Sequence, residues 1–253
     1  GLPNGLILYK NTVSMAILAD ILQRQAVWRG GAAPVTSAEP AMSAASTGYA
    51  ALDAELPGGG WPVGGLVEAF CHTEGIGELQ IVLPALAALT SAGHRVAWLA
   101  PPHLPYAPAL RAAGVRLERL TVIRAPGRRD ALWAAEQALR ARSFQALLLW
   151  LPRASYAELR RLAVAAQAGP GFVLAFRPPE VACESSPAVL RLALEAGEGQ
   201  FSVRILKRRG SPLAAALPIP IERPHVKRPA HALGRAPFPA APAPGAVARA
   251  CAA

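Results

Sequence analysis

Cys71-His72-Thr73-Glu74-Gly75-Ile76-Gly77-Glu78-Leu79-Gln80 is the segment whose residue types and spacing come nearest to a chemical task. It follows a short apolar run, Leu66 to Phe70, and precedes a helical pattern. Strand, glycine-bearing loop and helix start is the layout of a loop that cradles phosphates on backbone N–H groups. That chemistry also needs a lysine for the terminal phosphates and a serine or threonine for Mg²⁺. Only the glycines, Gly75 and Gly77, are present. Glu78 stands where the lysine belongs, and Leu79 follows it. The chain has three lysines, Lys10, Lys207 and Lys227, so no shift of register supplies one. A unit charge pair at about 4 Å near a surface is worth roughly 4 kcal/mol. Exchanging an attraction for a repulsion predicts ATP affinity reduced by several orders of magnitude.

The other parts of a phosphoryl-transfer site are missing as well. Ala146-Leu147-Leu148-Leu149-Trp150-Leu151-Pro152 ends without a carboxylate for magnesium. Ala100-Pro101-Pro102-His103 offers His103 as a base but no carboxylate, metal or nucleophile beside it. The expectation is a protein without catalytic residues, metal or cofactor.

The elements that would position this loop follow from hydrophobic periodicity. Strands are predicted at Leu66–Phe70, Arg95–Ala100, Leu120–Arg124, Ala146–Leu151 and Gly171–Phe176. Helices are predicted between them, over 78–92 with Pro84 as a kink, Tyr106–Ala113, Arg128–Arg142, and from the cap Ser155 to about Ala168. This alternation predicts an α/β fold with a doubly wound, mostly parallel sheet. Residues 189–195 and 201–209, separated by Gly197-Glu198-Gly199, predict a closing antiparallel hairpin, and a short extended piece is expected at 217–221.

Length and composition set the frame. The chain has 253 residues, 53% hydrophobic and 17% charged, which excludes a wholly disordered protein and supports one or two domains. No apolar run is long enough for a membrane span. Cys71, Cys183 and Cys251 form no CxxC pair; a reducing, cytoplasmic setting is expected, with Cys71 and Cys183 as buried free thiols. The net charge of +10 is unevenly placed: residues 204–253 hold 9 basic and 1 acidic side chains. That asymmetry points to a polyanionic or acidic partner, or to a merely soluble tail.

The predicted organisation has five parts. Residues 1–14 are read as a non-native or disordered leader before Met15, and 15–29 as a helix with Ile17, Leu18, Ile21 and Leu22 on one face. A linker (30–45), a core (46–221) and a disordered Pro/Ala-rich basic tail (222–253) follow. Trp28 and Trp61 flank the linker and could pack or anchor a partner. Trp98, Trp133 and Trp150 are core or interface fillers. Arg128-Arg129 is a solvated turn or a partner contact. Arg204, Lys207, Arg208 and Arg209, with Arg223, Lys227, Arg228 and Arg235 of the tail, are the candidate partner or DNA contacts. Alternation sends Lys207 and Arg209 to one face and Arg208 to the other. A basic strand at a sheet edge equally serves as a guard against edge pairing.

Ser46-Thr47-Gly48, Leu52-Asp53, the run Gly58–Gly60 and Pro62-Val63-Gly64-Gly65-Leu66-Val67-Glu68 together resemble the entry segment of the RecA recombinase core. Within that superfamily, Leu56-Pro57-Gly58-Gly59-Gly60-Trp61-Pro62, Gly75-Ile76-Gly77-Glu78-Leu79 and Leu83-Pro84-Ala85-Leu86 resemble the ImuA family, with the SulA cell-division inhibitors as close relatives. The resemblance implies a RecA-like core and a non-catalytic adaptor in SOS-induced mutagenic translesion synthesis. The partners it implies are the Y-family polymerase homologue ImuB, an error-prone replicative-type DNA polymerase, and RecA. Self-association and weak DNA binding through the basic tail are further expectations. The alternatives are a SulA-like inhibitor acting on the tubulin-like division protein and a DNA-binding ATPase of the RecA superfamily.

Overall fold

A computed structural model describes residues 43–71, 78–196, 200–210 and 215–220. The predicted leader, amino-terminal helix and basic tail lie outside the described residues, as do Gly75 and Gly77. The first ordered elements are the two-residue strands β1 (Ala44–Ala45) and β2 (Trp61–Pro62), which pair antiparallel around the short helix α1 (Ala50–Glu55). Periodicity did not predict α1, because six residues give too little pattern. Its position is fixed by Asp53, which accepts hydrogen bonds from Ser46 Oγ (2.6 Å) and Thr47 N (2.8 Å). The turn after α1 uses Gly58 and Gly59, both at positive φ, a conformation that glycine adopts at little cost.

The central sheet then grows by alternation: β3 (Leu66–Cys71), α2 (Leu83–Ser91), β4 (Val96–Leu99), α3 (Ala107–Ala112), β5 (Leu120–Ile123), α4 (Arg128–Arg140), β6 (Ala146–Trp150), α5 (Tyr156–Gln167) and β7 (Phe172–Arg177). The chain closes with β8 (Leu190–Ala196), β9 (Gln200–Lys207) and β10 (Leu217–Pro220). The sheet has eight strands in the order β10-β9-β8-β3-β7-β6-β4-β5. The six strands from β8 to β5 in that order are parallel, and β9 and β10 add antiparallel. The result is a mixed α/β fold with a mostly parallel sheet and an antiparallel end.

Parallel strands covered on both faces must be apolar throughout. β3, β4, β6 and β7 are buried at every position. On one face Val67, Trp98, Leu148, Leu174 and Leu192 pack under α2 and α3. On the other Leu66, Leu99, Leu149 and Val173 pack under α4 and α5, whose inward residues are Leu132, Ala135 and Leu139, and Leu159, Leu162 and Ala166. Trp61 is fully buried and stacks on Phe172 at 5.6 Å, so it packs against the sheet and is not an exposed anchor. Trp98 and Trp150 are core residues, whereas Trp133 is 65% exposed on α4.

Four expectations need correction. Pro84 does not kink a helix: residues Glu78–Ile81 form a 3-10 turn and Pro84 sits in the first turn of α2, where its missing N–H is not needed. The last long strand ends at Lys207, and a bulge opposite Arg191/Leu192 breaks its alternation, so the face assignment of residues 207–209 does not hold. β9 is an edge strand only in part, because β10 pairs with residues 200–203 and, among the described residues, leaves 204–207 beyond that pairing. Cys71 is buried and outside any disulfide, but Cys183 is exposed and is disulfide-bonded. Among the described residues, no helix is long and apolar enough to cross a membrane.

The capping box at α5 forms as its sequence predicts: Ser155 Oγ accepts from Glu158 N (3.4 Å), and Ser155 N donates to Glu158 Oε2 (2.8 Å). Arg128, at the start of α4, donates to the same carboxylate at 2.7 Å, which ties the first turns of α4 and α5 together. The Ser155 backbone N–H holds the Glu158 carboxyl below its ordinary range; partial burial opposes this, and the Ser155 hydroxyl and Arg128 add to it. A depressed carboxyl pKa contributes stability that is present above the unfolded pKa and is lost as pH falls through the folded one. Glu158→Gln should therefore unfold about 0.5–1 kcal/mol more easily than the parent at neutral pH. The gap should close as pH falls below the ordinary carboxylate range, as urea titrations at several pH values would show.

Candidate functional site

The carboxyl ends of parallel strands are where doubly wound sheets bind ligands. At the end of β3 the degenerate loop leads to Glu78, which is buried at the head of the 3-10 turn. The entry segment holds this turn from behind. Tyr49 Oη donates to the Gln80 carbonyl at 2.7 Å. Gly48, at positive φ, lies so close to Pro84 that a Cβ there would meet the proline Cβ at 2.3 Å. The Ser-Thr-Gly and Leu-Asp motifs thus serve one mechanical end: Asp53 fixes residues 46–47, and Gly48 and Tyr49 clamp the segment that follows the loop. A cleft of about 690 Å³ opens beside this clamp, lined by Tyr49, Gln80, Leu83, Pro84 and Ile219 among others, and among the described residues no charged side chain lines it. Nothing in that lining could neutralise a phosphate.

Part of the carboxyl edge is aromatic, although β7 itself ends in Arg177. Trp98, Trp150 and Phe176 form a ladder across β4, β6 and β7, with ring centroids 5.7 and 5.1 Å apart. Where a magnesium carboxylate would stand, β6 runs out through buried Leu151. His103 is exposed after β4. Among the described residues no group of three His, Cys, Asp or Glu side chains could hold a metal ion. Arg95 is at the amino end of β4 and stacks over Phe144 at 5.5 Å, far from any role as a phosphate clamp.

A polar cluster that motif reading missed lies beneath this edge, on the face covered by α5. Glu68 is completely buried in the middle of β3. Arg177 of β7 donates to its Oε1 at 2.6 Å, and Arg191 of β8 donates to its Oε2 at 2.9 Å. Arg177 continues to the carbonyl of Ala154 (2.9 Å), in the β6–α5 connection. Arg191 reaches the carbonyl of Val181 (3.3 Å), in the 3-10 turn Pro179–Cys183, and lies over the Phe70 ring at 4.9 Å. One carboxylate and two guanidinium groups thus join three adjacent strands and two connecting segments. Sequence reading placed Glu68 within an apolar strand but ended the fifth strand one residue before Arg177, and β8 carries Glu195 as well as Arg191, so no local signal linked the three.

The basic residues singled out near the carboxyl end are largely engaged within the fold. Arg208 donates to the carbonyl and to Oε2 of Glu55, the latter at 2.9 Å, tying the end of β9 to α1. Lys207 Nζ donates to the Ser186 carbonyl at 3.0 Å. Arg204 lies 4.0 Å from Glu195 across the hairpin. Arg209 is exposed. Arg223, Lys227, Arg228 and Arg235, and the helix face of Ile17, Leu18, Ile21, Leu22 and Trp28, lie outside the described residues. Arg128 is paired with Glu158, and Arg129 is exposed.

Removing Glu68 would leave Arg191 without its anion and Arg177 with only the exposed carboxylate of Glu184, 3.8 Å away. Breaking a buried charge cluster from one side costs about 3–5 kcal/mol. Glu68→Ala should therefore lose that much unfolding free energy in urea. Replacing all three residues together by apolar ones (E68L, R177M, R191L) should recover most of the loss.

Comparison with known proteins places the similarity on this central sheet. Residues 65–172, from the start of β3 to the first residue of β7, match the family described as Cell division inhibitor SulA. The Cell division inhibitor SulA of Edwardsiella piscicida is 35% identical over 103 residues, which is 40% of this chain and 61% of that relative. The chain thus spans about 61% of the relative's length, and the match leaves β8, β9, β10 and the basic tail outside it. The central sheet of this chain is similar to a SulA cell-division inhibitor.

Proposed function

We propose that this chain is a non-catalytic protein of the SOS response that acts by binding another protein. The observation that carries the reading is the similarity of residues 65–172 to the cell-division inhibitor SulA. The electrostatics agree with it: a buried glutamate in place of the phosphate-binding lysine, and a cleft beside it without a charged side chain among the described residues, both disfavour nucleotide chemistry. In its direct form the reading is a SulA-like inhibitor whose target is the tubulin-like division protein.

A second reading is favoured by what lies beyond the match. Residues 173–253 add three sheet strands and a segment in which residues 204–253 carry a net charge of +8. With the ImuA-like motifs around the glycine run and the loop, they support an adaptor of mutagenic translesion synthesis, binding a polymerase homologue and an error-prone polymerase.

Three measurements separate these readings and test their common premise. Overproduction in bacteria should produce filamentous cells under the inhibitor reading and cells of normal length under the adaptor reading. In the latter case the chain should co-purify with the Y-family polymerase homologue in a complex of defined mass. Under both, calorimetry with millimolar Mg-ATP should show no binding heat; saturable binding with turnover would remove the non-catalytic premise.

A further inference from the structure

The outer surfaces of α4 and α5 enclose a groove of about 540 Å³. Its floor is apolar and made of small residues of α5, Ala157, Ala165 and Ala168, with Val164, which is 55% exposed. Its rim carries four arginines, Arg140, Arg142, Arg160 and Arg161, and one acidic residue, Glu136. Glu136 is already taken: Arg161 bridges to both of its oxygens, at 2.7 and 2.9 Å. Among the described residues Arg140, Arg142 and Arg160 have no carboxylate partner.

Arg142 is also placed against local preference. It follows the last residue of α4 and its C-cap, Ala141, and has a φ of 50°. That left-handed position after a helix favours glycine, because a Cβ there is crowded. The fold therefore holds an arginine on the groove rim at a conformational cost that glycine would not incur.

We propose that the α4–α5 groove is a docking site for an acidic, amphipathic helical segment of a partner protein. Three guanidinium forks without carboxylates of their own match carboxylates on the flanks of such a segment. The apolar floor of small side chains admits the apolar face of a helix between them. The chain's own carboxyl segment is excluded as occupant by its like charge. A single nucleic-acid strand fits less well, since strand-binding grooves supply aromatic platforms for bases and among the described residues no aromatic side chain lines this one. The proposal rests on the protein-binding reading and adds to it the chemistry of the partner segment.

The test is fluorescence anisotropy with the full chain and three labelled probes. The first is a helical peptide with leucines at i, i+3, i+4 and i+7 and glutamates elsewhere. The second has lysine for each glutamate, and the third is an oligothymidylate of similar length. The glutamate peptide should bind, more weakly as salt rises. Arg142→Gly and Arg160→Glu together should weaken it by at least about tenfold. Arg142→Gly alone, which should melt no lower than the parent, should give a smaller loss in the same direction. Absence of binding to the parent, equal binding of the lysine peptide, or undiminished binding in the variants would overturn the proposal. So would oligothymidylate binding that falls in the same variants, which would make the groove a nucleic-acid surface. Peptide binding with normal cell division would leave the groove standing and remove the inhibitor reading; filamentation with no peptide binding would do the reverse.

Discussion

Glu68 is a fully buried anion in the middle of the sheet, and two guanidinium groups from the neighbouring strands converge on it. Charges taken out of water are tolerated only when opposed and hydrogen-bonded, so the register of β7 and β8 against β3 is constrained by this cluster as well as by packing. A slip of one residue in either strand would send its arginine to the opposite face. The same side chains hold the carbonyls of Ala154 and Val181, which fixes the connections leaving β6 and β7. The shape of the carboxyl edge thus depends on an interaction beneath it. The aromatic ladder of Trp98, Trp150 and Phe176 fills the other face at the same level.

The entry segment clamps the turn that precedes α2, through Tyr49 and Gly48, and forms a structural joint there. The outer surface of α4 and α5 carries the arginines without partners, on the helices that the similarity to SulA includes.

How far the sequence revealed this differs by element. Strands such as Ala146–Trp150 and the capping box at Ser155 and Glu158 were legible because their signals are local and strong. The parallel sheet with an antiparallel end followed from alternation and the glycines at 197–199. α1 was not legible, since its stability comes from Asp53 reaching back to residues 46 and 47. Pro84 was misread because kink and helix start share one residue type, and only the 3-10 turn before it decides between them. The Glu68 cluster joins residues more than 100 positions apart, and no motif encodes that distance. Arg208 looked like a free cation because its partner, Glu55, lies in the short helix that periodicity missed.

β10 has a practical consequence. It covers the outer hydrogen-bonding side of β9 through the pairing of residues 217–220 with 200–203. Pro218 and Pro220 lack N–H groups, so the strip ends the sheet without offering a full ladder to another chain. A truncation placed at residue 212 to strip the basic extension would also peel away this cover and leave β9 open to edge-on pairing. Ending the protein after residue 221 keeps the cover in place, so any change in behaviour could then be assigned to the extension itself.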